Sequence, residues 1–94
     1  MSKFLVMWSL ETANLGQDAI NAVLAMPDYA QHLLATGKLE KRYHIVGKHG
    51  GAWIYDVASN EELDRLLAMA PVYNLARYEV VPLAEMSEPT LVST

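Results

Sequence analysis

The chain has no cysteine, which excludes a disulfide scaffold, a thiol nucleophile and cysteine-ligated zinc. Basic side chains are also scarce, with 7 Lys and Arg against 11 Asp and Glu, a net charge of −4. They are scattered, with only Lys41 and Arg42 adjacent, so no basic stripe can neutralise phosphates, and nucleic acid is not an expected partner. No apolar run approaches the length of a membrane span, and residues 1–16 carry one lysine without a small-residue cleavage pattern. The expected location is therefore cytoplasmic, with no membrane partner. The three histidines show no HxH, HxxxH or paired His–carboxylate spacing, so no metal is expected. Gly47-Lys48-His49-Gly50-Gly51 lies between two expected strands, where no helix N-terminus is available to hold a phosphate. No cofactor is expected.

What the chain has in quantity is apolar surface. A hydrophobic fraction of 52% in 94 residues exceeds what one modest core needs. The excess is expected to cover an oligomer interface or line a small-molecule pocket.

The apolar pattern divides the chain into six elements. Lys3–Leu10 reads as a buried strand, apolar on both faces. From Gln17 a helical period follows through Ile20, Val23, Leu24, Leu33 and Leu34. Pro27 is expected to kink or restart that helix, and Gly37 to end it. Leu39–Val46 and Ala52–Val57 read as strands joined by a loop in which Gly47, Gly50 and Gly51 supply positive φ. Ser59 caps a second helix, with Glu62 completing a capping box and Leu63, Leu66, Leu67 and Ala70 facing inward. Leu75–Leu83 is the fourth strand, limited by Pro82. The order βαββαβ is the ferredoxin-like arrangement, an α+β domain over residues 1–83. Two helices then cover one face of a four-stranded antiparallel sheet. The other face is left to a second copy, so a homodimer or higher homo-oligomer is expected. The tail, residues 84–94, is expected either to be disordered or to pack on a neighbouring subunit, where 90–92 could add a strand.

Strand alternation nominates the side chains on the open face. Pairing Tyr78 with Val80 and Tyr43 with Ile45 as core residues puts Arg42, His44, Arg77 and Glu79 outside. Assigning small Ala52 and Ile54 to the helix side adds Trp53 and Tyr55 to that outer group. A histidine beside a carboxylate suits proton transfer, and an arginine can hold a substrate carboxylate through its planar fork. The same residues would equally serve an intersubunit interface, with Arg and Glu paired across strands and the aromatics as packing. His32 on the first helix reads as a surface residue.

The residues also carry a resemblance. Ile45-Val46-Gly47, followed by ten residues ending in Asp56-Val57, then Ser59, Glu61, Leu63, Pro71 and Glu79-Val80, resemble the muconolactone delta-isomerase family. The spacing from Gly47 to Leu83 runs without a gap; the first strand fits, and the first helix fits in outline. The resemblance implies a dimeric α+β barrel and a cofactor-free proton shift in a small lactone or cyclic acid of aromatic catabolism. It casts His44 or Glu79 as the proton-transfer group and Arg42 or Arg77 as the anchor. Trp53 and Tyr55 become walls, with Lys48 and His49 near the substrate. Three positions depart from the family pattern. Lys48 stands where a histidine follows the glycine, His44 where an arginine is usual, and Asn74 where a proline is usual. Alternatives on the same frame are a cofactor-free monooxygenase or cyclase of a biosynthetic pathway, or a non-catalytic ligand-binding or assembly module.

Overall fold

A computed structural model describes residues 1–11, 13 and 15–87 of the chain. Six elements follow in the order β1 (Ser2–Leu10), α1 (Gln17–Ala35), β2 (Leu39–His44), β3 (His49–Val57), α2 (Asn60–Ala68) and β4 (Arg77–Leu83). The four strands form one antiparallel sheet ordered β2-β3-β1-β4. This is the expected ferredoxin-like βαββαβ domain with both helices on one face. Residues 90–92, expected to add a strand to a neighbour, lie outside the described residues.

β1 sits at the centre because it is apolar on both faces. Phe4, Val6, Trp8 and Leu10 point to the helices and are buried, while Leu5 and Met7 are half-buried on the other side. β4 is an edge strand, which is where Pro82 is tolerated: its missing N–H would break a ladder only on a central strand. Val6, Val57 and Val72, all with 0% exposure, mark the deepest core.

Helix α1 runs from Gln17 to Ala35 as one helix with Pro27 inside it, so of the expected kink or restart the restart does not occur. The proline removes one N–H, that for the carbonyl of Val23, but the buried positions Ala19, Met26, Ala30 and Leu33 stay in helical phase across it. Burial of that stripe outweighs one lost backbone bond. The inward stripe also differs from the expected one, since Ile20, Val23, Leu24 and Leu34 are exposed and only Leu33 is buried. The helix ends as expected. Gly37 takes φ 75°, Lys38 N–H reaches Leu33 O at 2.9 Å and Gly37 N–H reaches Leu34 O at 3.2 Å, a Schellman motif.

β2 and β3 meet through a tighter turn than expected. Lys48 N–H bonds Ile45 O at 3.1 Å, with Gly47 at φ 85° supplying the reversal alone. Gly50 and Gly51 belong to β3 instead. A Cβ on Gly50 would overlap the Trp8 carbonyl oxygen, so close strand approach, not backbone reversal, requires glycine there.

The α2 cap forms as read. Ser59 Oγ accepts from Glu62 N–H at 3.1 Å, and Glu62 Oε1 accepts from Ala58 N–H at 2.7 Å, one residue before the cap itself. Lys38 Nζ lies 2.8 Å from the other Glu62 oxygen. The Ala58 N–H, then Lys38, hold the Glu62 carboxyl below its ordinary value of 4.5. A folded pKa below the unfolded one stabilises the fold above pH 4.5 and loses that contribution as pH falls through the lowered value. Glu62→Gln should therefore melt below wild type at pH 7. The gap between their melting curves should close as the pH is taken down through the acid range; a gap that persists at the acid end would contradict this.

Candidate functional site

The site is set by strand register. β1 pairs with β3 so that Val6 opposes Trp53 and Trp8 opposes Gly51. β2 pairs with β3 so that Arg42 opposes Trp53 and His44 opposes Gly51. Directly opposed residues share a face, and Val6 and Trp8 face the helices. Arg42, His44 and Trp53 therefore lie on the helix side of the sheet. Because β2 is an edge strand, Arg42 and His44 remain exposed at the border of α1 while Trp53 is buried.

Between these residues and α1 is a cavity of about 440 Å³, bordered by Trp8, Gly51, Trp53, Met26, Pro27, Arg42 and His44. A second hollow of about 370 Å³ shares Trp8, Val23 and His44 with it and adds Ile20, Leu24, Lys48 and His49. The two form a cleft along α1, and the exposed apolar side of that helix is its wall. Trp8 and Trp53 meet edge to face at 6.2 Å, and Trp53 stacks on Tyr55 at 6.3 Å.

This placement corrects the expected open-face group. Arg42, His44, Trp53 and Tyr55 are on the helix side; of the six, only Arg77 and Glu79 lie on the open face, opposite Ser9 and Met7. Two causes account for the difference. A register irregularity between Leu39 and Lys41 turns β2 over, so that Leu39 and then Arg42 and His44 share the inner face while Tyr43 is 53% exposed on the outer one. In β3 both faces are apolar, and the large aromatics, not Ala52 and Ile54, fill the core against β1. Tyr55, 2% exposed, lies behind the cleft and does not border it. Burial, with Tyr29 and Tyr78 nearby, pushes its phenol above the usual range, so it is a packing residue behind the cleft and not an acid at neutral pH.

The structure thus brings Arg42, His44, Trp53, Lys48 and His49 to the cleft and puts Arg42, His44 and Trp53 on the other side of the sheet from Arg77 and Glu79. Glu79 and Arg77 border another hollow of about 370 Å³ with Met7, Ser9, Trp8 and Lys48, so Lys48 stands at the edge of both. Arg77 Nε is 2.5 Å from Glu11 in a largely exposed pair, an arrangement that contributes little to stability. Trp8, Gly51, Met26 and Pro27 were not among the residues nominated from the sequence. Trp8 sat in a strand apolar on both faces, and only the β1–β3 register shows that it reaches the cleft.

The electrostatics are one-sided. Arg42, His44, Lys48 and His49 border the cleft, and no Asp or Glu is found among the described residues lining it, in a chain of net charge −4. The wall is apolar and aromatic. Such a lining is chemically suited to a small molecule with an apolar body and a negative group. Among the described residues no three His, Asp or Glu side chains gather as a metal-holding group, and no helix is long and apolar enough to cross a membrane.

Fold and cleft together define a ferredoxin-like α+β domain with a small-molecule cleft between its first helix and its sheet. The family profile described as muconolactone delta-isomerase matches residues 3–88. The chain belongs to that family. It is 39% identical over 57 residues to the Muconolactone Delta-isomerase of Cupriavidus pinatubonensis, a match covering 61% of this chain and 62% of that one. With the enzyme of the same name from Acinetobacter baylyi it shares 38% over 55 residues, covering 58% and 57%. The matches thus span about three fifths of the length of these curated relatives. A crystal structure of muconolactone isomerase superposes with a TM-score of 0.78 at 22% identity, over 97% of each chain. A 5-chloro-2-hydroxyhydroquinone dehydrochlorinase from Burkholderia phenoliruptrix, in complex with 2,5-dihydroxybenzoquinone, superposes with a TM-score of 0.73 at 19% identity, over 89% and 95%. Both share the fold.

Proposed function

We propose that this protein is an isomerase that shifts a proton within a small unsaturated lactone carrying a carboxylate, muconolactone or a close analogue. The observation that carries the reading is the cleft's charge: Arg42, His44, Lys48 and His49 border an apolar, aromatic pocket that holds no carboxylate among its described lining residues. Family membership supplies the reaction type.

In this reading Arg42 holds the substrate carboxylate, for which its planar donor fork is suited. Trp53 packs against the ring. His44 takes a proton from a ring carbon conjugated to the lactone carbonyl; the C–H electron pair moves into the ring and charge builds on the carbonyl oxygen. Return of the proton to a different ring carbon moves the double bond. Atoms and charge balance with no further reactant, so the step calls for no cofactor. His44 is preferred over Glu79 because the sheet lies between them. Arg42 rather than Arg77 is the anchor on the same ground. An arginine at the mouth of the cleft also supports this reading over a monooxygenase or cyclase working on uncharged aromatic substrates.

Wild-type protein should convert muconolactone, and Arg42→Ala and His44→Ala should each lower kcat/KM at least about tenfold with unchanged melting temperature. Absence of turnover by the wild type, or full activity in the His44 variant, would rule the reading out.

The open sheet face is proposed as the self-association surface. Leu5, Met7, Ile54 and Val81 are half-buried there without a covering helix, Tyr43 is exposed, and Lys3, Lys41, Arg77 and Glu79 surround them. An apolar centre with a charged rim is the composition of a specific interface. Light scattering should report at least a dimer for the wild type and a monomer for Ile54→Glu. A monomeric wild type, or a variant that stays associated, would remove this assignment.

A further inference from the structure

The two tryptophans of the cleft carry polar edges as well as apolar faces. An indole N–H is a donor only, and native folds leave few buried donors without an acceptor. Trp8 is 8% exposed, and its Nε1 has no acceptor among the described residues. Trp53, on the neighbouring strand, is 3% exposed.

The residue between them in the register is Gly51, opposite Trp8 on one side and His44 on the other. A Cβ placed on Gly51 would lie 2.8 Å from Trp53 Nε1, 3.0 Å from the Tyr43 carbonyl oxygen and 3.1 Å from Trp8 Nε1. Both indole nitrogens therefore pack against the Gly51 backbone, closer than a side chain there would allow. Trp8, Gly51 and Trp53 all line the cavity that Arg42 and His44 border.

We propose that the indole N–H groups of Trp8 and Trp53, gathered over Gly51, form the niche that holds the carbonyl oxygen of the substrate lactone. Neutral donors in an apolar, water-poor pocket suit an oxygen that gains charge during reaction, whereas a full carboxylate is better matched by the guanidinium at the exposed mouth. The substrate then has three contacts: carboxylate on Arg42, carbonyl oxygen on the two indoles, and the proton-bearing carbon toward His44. As the C–H bond breaks and its proton passes to the imidazole, the electron pair spreads onto the carbonyl oxygen, where both donors strengthen. The indoles keep their own protons throughout. The niche also selects: a ring without a carbonyl oxygen at that position leaves both donors unpaired and binds poorly.

This inference rests on the lactone reading of the cleft, and one experiment separates the two. The chain has 2 tryptophans, so nitrogen-15 indole labelling gives two Nε1–H signals, assigned with Trp8→Phe and Trp53→Phe. The labelled protein is titrated with muconolactone and, separately, with the saturated lactone bearing the same carboxylate arm, which cannot isomerise. Both signals should move downfield with a single shared Kd. Each phenylalanine variant and Gly51→Ala should lower kcat at least about tenfold while KM changes less than about threefold, as expected for contacts that strengthen in the transition state. Signals that stay in place at saturating ligand, or phenylalanine variants with full kcat, overturn the niche. If muconolactone is not turned over, the lactone reading fails and the saturated lactone decides the niche: movement of both signals supports it, and no movement overturns it.

Discussion

The pairing of Trp8 with Gly51 across β1 and β3 is the constraint on which the rest of the molecule depends. A slip of one residue would send every side chain of β3 to the opposite face. Gly50 guards against that slip, because the Trp8 backbone approaches it too closely for any side chain. With the register held, Trp53, Tyr55 and Val57 fill the core beneath the helices, and β2 carries Arg42 and His44 to the same side. Core and cleft are thus two ends of one face of β3. Gly51, which borders the cleft, lies one residue from Gly50, which the close approach of Trp8 requires.

The cleft works through a division of labour between the sheet and α1. The helix buries Ala19, Met26, Ala30 and Leu33 and leaves Ile20, Val23 and Leu24 facing the hollow. Those side chains are an exposed apolar wall, while the buried Trp8 and Trp53 are the part of the cleft where polar groups act with least screening. Arg42 and His44 stand exposed on an edge strand, where the Arg42 guanidinium stays hydrated at little desolvation cost. In the proposed reading, a guanidinium at the exposed mouth and neutral donors at the buried floor match a substrate charged at one end that gains charge at the other.

Local rules were legible in the sequence. The Ser59–Glu62 cap, the Gly37 helix stop and the alternation of β4 each depend on residues a few positions apart. The placement of the nominated residues was less legible: Arg42, His44, Trp53 and Tyr55 were expected on the open face and lie on the helix side. The irregularity between Leu39 and Lys41 has no local signal, since nothing in Leu39-Glu40-Lys41 demands a bulge, and it reverses β2. In β3, Ala52 and Ile54 compete with Trp53 and Tyr55 for the core on equal hydrophobic terms, and only the partner strand decides. Trp8 was hidden because β1 is apolar on both faces. Glu79 and Arg77 were read correctly as outward, and that same fact removes them from the cleft.

The central claim is that the functional face is the helix side of the sheet, at the border of α1. A crystal structure of the protein soaked with muconolactone or its saturated analogue tests it most directly. The account predicts ligand density between α1 and the sheet, its carboxylate against Arg42 and its carbonyl oxygen over Gly51. Density on the opposite face, against Arg77 and Glu79, would contradict it.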